Sequence, residues 1–386
     1  MIPKNLIYLD NNATTRTEPA VVEAMIPYWT DTYINPASVA GELFGASAAI
    51  LAAKQVLASA LGGTHEQFSL TSGATESNNW VLQSTIVRKL RETGECHVIV
   101  SAIEHPSVLE TVEILRQWNP GLTVDLIPVD ENGIVRADAI DSLVTEKTTL
   151  VCIMLANNET GVIQPVGEFS RAIKTKNPNC LIHTDATQAV GKIPVDLDGD
   201  LAEVDFLSLS AHKFHGPKGV GALFVRSIST LDSWFHGGSQ QSGRRAGTEN
   251  PALAIGLSTA LKLAVENLPT YFEFMTGLRN NLESELARVN LDIRFLGADA
   301  PRLPNTSLLL APNIEGELMV HRLLETGIAA STGSACSKGS DQPSHVVTAM
   351  GVPYTIARNV LRISLSRLTS HSEIMACIGV MGDFLR

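Results

Sequence analysis

One junction recurs along this 386-residue chain and constrains its fold more than any other feature: a short apolar run ends and a polar or ionisable residue follows. Phe68 to Leu70 leads into Thr71, Ser72, Gly73, Ala74 and Thr75. His97 to Ser101 leads toward His105, and Leu150 to Leu155 toward Asn157, Asn158 and Glu159. Leu181 to Thr184 ends at Asp185, and Phe206 to Leu209 ends at Ser210, Ala211, His212 and Lys213. Helical patterns lie between these runs, near residues 76–91 and 166–176, and further helices are expected over 21–29 and roughly 271–289. Strands alternating with helices predict an α/β fold with a mostly parallel central sheet and helices on both faces. Ligands of such sheets bind outside the carboxyl ends of the strands. A single cleft can therefore collect Ser72, His105, Asn158, Asp185 and Lys213.

The stretch from Asp205 to Arg226, DFLSLSAHKFHGPKGVGALFVR, sets Lys213 at the end of a buried strand, before a glycine-rich turn. An amine presented this way can form a Schiff base with a carbonyl cofactor, and pyridoxal phosphate (PLP) is the usual partner. A solvated loop lysine would read the same in isolation. The hydroxyl residues and glycine at 71–75 open a helix, whose first amides and dipole suit a phosphate. A side-chain cap by Ser72 or Thr75 is the alternative. Asp185 can face a pyridine nitrogen or cap the next helix. Gln188 can donate to the phenolic oxygen of the cofactor ring. His105 can stack on a flat ring and carry protons, or simply lie on the surface.

Composition narrows the classes. A chain this long predicts two domains or one with a large appendage. The expected division is a large domain over 15–256 and a smaller α+β domain from 1–14 and 257–386. Net charge is −11 with no basic run, which argues against nucleic acid as a main partner. No apolar run is long enough to span a bilayer, and MIPKNLIYLD lacks a signal-peptide core. These readings predict a cytoplasmic protein. The five cysteines are far apart with no CxxC pair, against a disulfide framework or a cysteine-rich zinc site; no metal is expected. Cys152 and Cys180 lie in apolar runs and read as buried, inert thiols.

Cys336 differs. It stands in a long run of small residues, Ser331 to Ser340, within a loop expected at 331–342. Such a loop builds no core and should be mobile. Lys338 nearby would favour the thiolate, the reactive form. Arg362 lies inside an apolar strand, where an unpaired charge is costly. A bidentate carboxylate ligand or a structural salt bridge would each explain it. Asn35, ahead of Pro36, is an extended position able to aim an amide into a cleft.

Taken with YLDNNATT, INPAS, LTSGATESNN, EHPSV, NNETG, HTDATQAVGK, SLSAHKFHGPKG, GRRAGTEN, PNTS, STGSACSKGS and LRISLSR, in that order over nearly the whole chain, these residues carry a family resemblance. The chain resembles cysteine desulfurases of the NifS and IscS type, in the class V aminotransferase group of fold-type I PLP enzymes. The resemblance implies that Lys213 is the Schiff-base lysine and that Ala74, Thr75, Ser210 and His212 cradle the phosphate. It implies that Thr248 reaches the phosphate of a neighbouring subunit, and hence a homodimer. Asp185 matches the pyridinium partner, Gln188 and Asn158 the phenolic-oxygen contacts, and His105 the stacking histidine. Asn35 and Arg362 match the contacts to the substrate carboxylate, and Cys336 the sulfur-accepting nucleophile. The activity implied converts L-cysteine to L-alanine and passes sulfur, as a persulfide, to an acceptor such as an iron–sulfur scaffold protein. Rival activities are a selenocysteine lyase, a small-amino-acid aminotransferase, and a non-catalytic partner with the same fold. The chain departs from the family pattern at Ala40, where a histidine is frequent, and at Leu43, near a frequent glycine. It also departs at Gln241 and Ser242, where Glu-Arg is frequent.

Overall fold

A computed structural model describes residues 6–233, 235–333 and 342–385. Among the described residues, twelve strands form three sheets. The two-residue strands β1 (Ile7–Tyr8) and β11 (Ile328–Ala329) pair in parallel. The central sheet holds β2 (Phe68–Thr71), β3 (Cys96–Ser101), β4 (Leu122–Ile127), β5 (Thr148–Cys152), β6 (Leu181–Asp185), β7 (Phe206–Ser210) and β8 (Gly221–Val225). Their order is β2-β8-β7-β6-β5-β3-β4, and β8 alone runs against the others. The third sheet is antiparallel, with β10 (Thr306–Leu310) between β12 (Val360–Ser364) and β9 (Arg294–Phe295).

The central strands are apolar along their length because both faces are covered. Successive residues alternate between two cores. Val98 and Val100 of β3, Leu150 of β5 and Phe206 of β7 pack with Trp80, Ile86, Val108 and Val112 of the helices Ala74–Thr93 and Pro106–Trp118. Ile99, Val151, Leu207 and Leu209 point the other way. They pack with Leu57, Ile173, Leu257 and Leu261 of the helices Ala46–Leu61, Val166–Lys176 and Pro251–Glu266. A separate core, with Leu282, Leu309, Met319, Leu361 and Met381, lies under the small antiparallel sheet. The α/β architecture predicted from the alternating junctions is present.

Element edges shift where proline or a cap intervenes. The single helix expected over 21–29 is two pieces, Pro19–Met25 and Pro27–Thr30. Pro27 has no N–H for the ladder and opens the second piece instead. The helix expected from Tyr271 begins at Leu268 with a proline in its first turn, directly after Asn267. Neither Ser72 nor Thr75 caps the helix after β2. Gly73, at φ 153°, is its N-cap and offers the first amides no side chain.

Gly73 and Gly221 meet closely where β2 ends and β8 begins. A Cβ at Gly221 would overlap the Leu209 carbonyl and come within 2.7 Å of Gly73 Cα. Substituting Gly221→Ala therefore forces backbone apart beside the first amides of that helix. We expect a loss of about 1–3 kcal/mol in urea unfolding, the usual scale of overpacking, together with weaker anion binding at the helix start. An unchanged unfolding midpoint would show that the two glycines are not in forced contact.

Candidate active site

Every central strand except β8 points its carboxyl end toward one polar cleft of ≈ 830 Å³. Ten residues singled out from the sequence line it: Ala74, Thr75, His105, Asn158, Asp185, Gln188, Ser210, His212, Lys213 and Arg362. Lys213 sits in a 3-10 turn directly after β7. Its Nζ donates to the carbonyls of Asn12 at 2.6 Å and Ala13 at 2.8 Å. These belong to the N-terminal arm, which Thr15 fastens to the His212 carbonyl. The chain then reverses through His215, at φ 67°, whose N–H is accepted by Thr15 Oγ1.

Beside Lys213, Ser210 Oγ accepts the Ala74 N–H at 2.7 Å, at the uncapped start of helix 74–93. His212 Nδ1 is 3.1 Å from Thr14 Oγ1. Burial, with the charges of Lys213, Lys218 and Lys192 behind it, pulls His212 down to about 4. A neutral imidazole, amide donors and a hydroxyl therefore share one corner of the cleft.

Asp185, at the end of β6, is buried. Its Oδ2 accepts from Asn78 Nδ2 at 2.8 Å and its Oδ1 from the Thr187 N–H at 2.9 Å. No helix follows, so it caps none. Asn78 Nδ2 also donates to Ser107 Oγ at 2.8 Å. Ser107 Oγ lies 2.9 Å from His105 Nδ1, which accepts the Ser107 N–H as well. With Nδ1 an acceptor, the neutral His105 ring carries its proton on Nε2. Burial lowers the His105 pKa, the Asp185 charge opposes this, and Lys213 and His345 add to the lowering.

Arg362 is 2% exposed and already paired. Its Nη2 donates to Asp10 Oδ1 at 2.7 Å, and its Nη1 to the carbonyls of Gly333 at 2.9 Å and Asn158 at 3.0 Å. The buried Nε has no partner. A structural salt bridge therefore exists at this residue while it also lines the cleft. Asn158 contributes its backbone carbonyl to Arg362 and to Asn12. Gln188 Nε2 donates to the Asn12 carbonyl at 3.0 Å.

Asn35, Thr248 and Ser72, the last expected in this cleft because it follows β2, do not line it. Asn35 is exposed, its Oδ1 accepting the Ala37 N–H. Thr248 borders a smaller cavity of ≈ 180 Å³ with Ser72, Gln241 and Arg245. Cys336 lies outside the described residues, although Gly333 and Gln342 on either side of that segment both line the cleft. The other four cysteines are buried free thiols. Burial raises the thiol pKa of each, to about 12 for Cys180 and Cys377.

The sequence reading passed over several partners. Lys192 is buried, and its Nζ donates to Gln188 Oε1 at 2.6 Å. Burial drives its pKa well below the usual lysine value, and the charges of Lys213 and Arg362 push the same way. Glu159 Oε2 accepts Ser344 Oγ at 2.6 Å. Glu104 is fully buried, takes the Met154 N–H at 2.5 Å, and leaves Oε2 without a partner. Asn78 follows Ala74 by four residues, a spacing that puts the two on one side of the helix Ala74–Thr93, and that was the available signal for Asn78. Lys192 lies in the turns after β6, and nothing local marked it or Glu104 as buried.

This cleft, at the carboxyl ends of a mostly parallel sheet and lined by a lysine and a buried aspartate, defines the class of fold-type I PLP enzymes. Residues 7–376 match the class V aminotransferase family, and the chain belongs to that family. It is 39% identical over 383 residues to a cysteine desulfurase of Nostoc sp., covering 99% of this chain and 93% of that protein. A solved NifS-like protein superposes with a TM-score of 0.90 at 38% identity, covering 98% of this chain and 99% of its own. SspA in complex with cysteine superposes with a TM-score of 0.81 at 31% identity, covering 94% and 100%.

PLP is the cofactor of this family, and the residues present fit it. The N-cap of helix 74–93 is a glycine that offers its first amides no side chain, and the Ser210 hydroxyl stands beside them at the Ala74 N–H. Thr187 Oγ1 is buried in the cleft wall without a partner. The Asp185 carboxylate is oriented by two N–H donors.

Burial, aided by the Asp185 charge, raises the Glu104 carboxyl to about 8, so it is protonated at neutral pH. A carboxyl whose folded pKa is raised stabilises fully below its unfolded value, and the contribution is lost as pH rises toward the folded value. Glu104→Gln, a neutral isostere, lacks this loss. The stability of the variant relative to wild type should rise between about pH 4.5 and 8, by at most about 1.4 kcal/mol per pH unit, then level off. Urea titrations across that window check this; a pH-independent difference would mean that Glu104 is ionised in the fold.

Proposed function

We propose that this protein is a cysteine desulfurase that converts L-cysteine to L-alanine and holds the sulfur as a persulfide on Cys336 for transfer to an acceptor. The observation that carries the reading is the shared cleft of Lys213, Asp185 and Arg362. Its border includes Gly333 and Gln342, and Cys336 falls between those two in sequence.

When bound, PLP supplies an electron sink for the bonds around the substrate α-carbon. Ala74, Thr75, Ser210 and His212 would hold its phosphate, Asp185 its ring nitrogen, and Gln188 and Asn158 its phenolic oxygen, with His105 against its ring. Lys213 would anchor it through its amine, and that amine, once free, is the base suited to take the substrate α-proton. Arg362 and Asn35 bind the substrate carboxylate, and the partnerless Nε of Arg362 is a donor still available for it. Cys336 attacks the substrate sulfur as a thiolate. An ordinary thiol has a pKa of about 8.5, so only a few per cent is ionised at neutral pH. His105, whose pKa burial lowers, is suited to give its Nε2 proton to product and then to accept the thiol proton at the same nitrogen. The substrate Cβ–S bond breaks, the Sγ–S bond forms on Cys336, and Cβ takes up a proton. The stoichiometry is one L-cysteine and one thiol to one L-alanine and one persulfide.

The reading includes a homodimer in which Thr248 reaches the partner's cofactor phosphate. Exposed Trp29, Tyr33, Val39, Leu43 and Phe44 are a surface that a second subunit would cover. We assign residues 15–256 to a PLP-binding domain and 1–14 with 257–386 to a smaller one. The central strands fall within 68–225 and the small antiparallel sheet within 294–364, which supports that division. We place the protein in the cytoplasm, where free buried cysteines stay reduced, with an iron–sulfur scaffold or another thiolation protein as acceptor.

Cys336→Ala should keep the visible absorbance of the bound cofactor and lose sulfide release from L-cysteine by about a hundredfold or more. Release at the wild-type rate would overturn the nucleophile assignment. Alanine formed from selenocysteine but not from cysteine would make the enzyme a selenocysteine lyase. Thr248→Val should speed cofactor release from the holoenzyme by about tenfold, as loss of a hydrogen bond to a charged group predicts; an unchanged rate would remove Thr248 from the phosphate site.

A further inference from the structure

Where the family frequently carries Glu-Arg, this chain carries Gln241 and Ser242, and the structure gives that departure a task. Gln241 is 5% exposed. Its Oε1 accepts the Leu70 N–H at 3.0 Å, from the outer edge of β2. Its Nε2 donates to Glu249 Oε1. The neighbouring Gln240 Oε1 accepts the Gly247 N–H at 3.1 Å. Thr248 lies between Gly247 and Glu249, so both of its chain neighbours are tethered. The tether carries strain: Gln241 at φ 50° and Ser242 at φ 58° are consecutive non-glycine residues in the left-handed region. Such geometry persists only where surrounding contacts impose it. Arg245 ties the same loop to the helix beginning at Ala74, through two bonds to Glu76 at 2.8 and 3.0 Å.

We infer that Gln241 is a positioning residue for Thr248, holding it ready for the cofactor phosphate of the partner subunit. This rests on the reading of Thr248 given above. The chemistry requires an amide. One group must accept from a backbone N–H and donate to a carboxylate at the same time, and a glutamine does both whereas an ionised glutamate only accepts. A glutamate at 241 would set two carboxylates together. Arg244, whose Nε donates to the Gln241 carbonyl at 3.2 Å, and Lys54, whose charge acts on Glu249, are the cations beside them, but two ionised carboxylates still hold no donor to link one to the other.

The test is a charge swap read by the rate of cofactor release from the holoenzyme, followed by visible absorbance with inorganic phosphate as competitor. Gln241→Glu should speed release about tenfold, and Gln241→Glu combined with Glu249→Gln should return it to within about twofold of wild type, since residues in contact couple. In the single variant the release should slow again as pH falls, because protonating one carboxylate restores a donor; a general packing defect would not show this. Gln240→Ala, at a half-exposed side chain, should speed release about threefold, and carries the test with the combined variant if Gln241→Glu does not fold. A combined variant that releases as fast as Gln241→Glu, or a Gln241→Glu rate equal to wild type, overturns the inference. If Thr248→Val releases at the wild-type rate, the Thr248 reading itself fails. If Thr248→Val is fast while Gln241→Glu is not, only the role of Gln241 fails.

Discussion

The cleft depends on the hydrogen bonding of a single buried residue, Asn12. Its N–H donates to Ser364 Oγ, and its Nδ2 to Thr306 Oγ1 and to the Asn158 carbonyl. Its Oδ1 accepts from Asn305, and its own carbonyl from Gln188 and Lys213. Asn12 thus joins the small antiparallel sheet, the loop after β5 and the cleft residues Gln188 and Lys213. Buried polar groups must be satisfied, and a network whose members satisfy one another is rigid. Arg362 and Lys213 come from strands of different sheets. A fixed geometry between them requires a joint of this kind.

Electrostatics then assigns protonation. Lys192, Glu104 and Glu159 are buried around the cleft. Burial penalises the charged form of all three. Glu104 is pushed toward its protonated form, while His212 and the deeper His183 are held at about 4 and stay neutral. The relay from Asp185 through Asn78 and Ser107 settles which nitrogen of His105 carries the proton. A neutral His105 with Nε2–H is the form able to exchange a proton above a flat ring.

Much of this was legible beforehand because periodicity and junction chemistry are local. Apolar runs of four to six residues followed by Ser, His, Asn, Asp or Lys gave both the sheet and the rim of its cleft, and the ordered motifs gave the family. The helix breaks at Pro27 and around Asn267 were misjudged by a few residues because caps compete with hydrophobic spacing. Lys192 and Glu104 were missed for a different reason. A lysine in a GK turn and a glutamate before a histidine look solvated in sequence, and only burial by distant elements changes their chemistry. Arg362 had two explanations in the strand alone. The position of Asp10, more than three hundred residues away, supplied the salt bridge.

Sequence by itself determined which residue types stand at which strand ends, since a strand's length and its following turn are short-range properties. It thereby determined the fold class and the family. Tertiary structure alone decided which of those residues share a cleft. It also decided that Asp185 caps no helix, that His105 keeps its proton on Nε2, and that Gln241 holds both Leu70 and Glu249. Each of these is a relation between groups far apart in the chain. Desolvation and hydrogen-bond direction act through space, and no local pattern of residues encodes them.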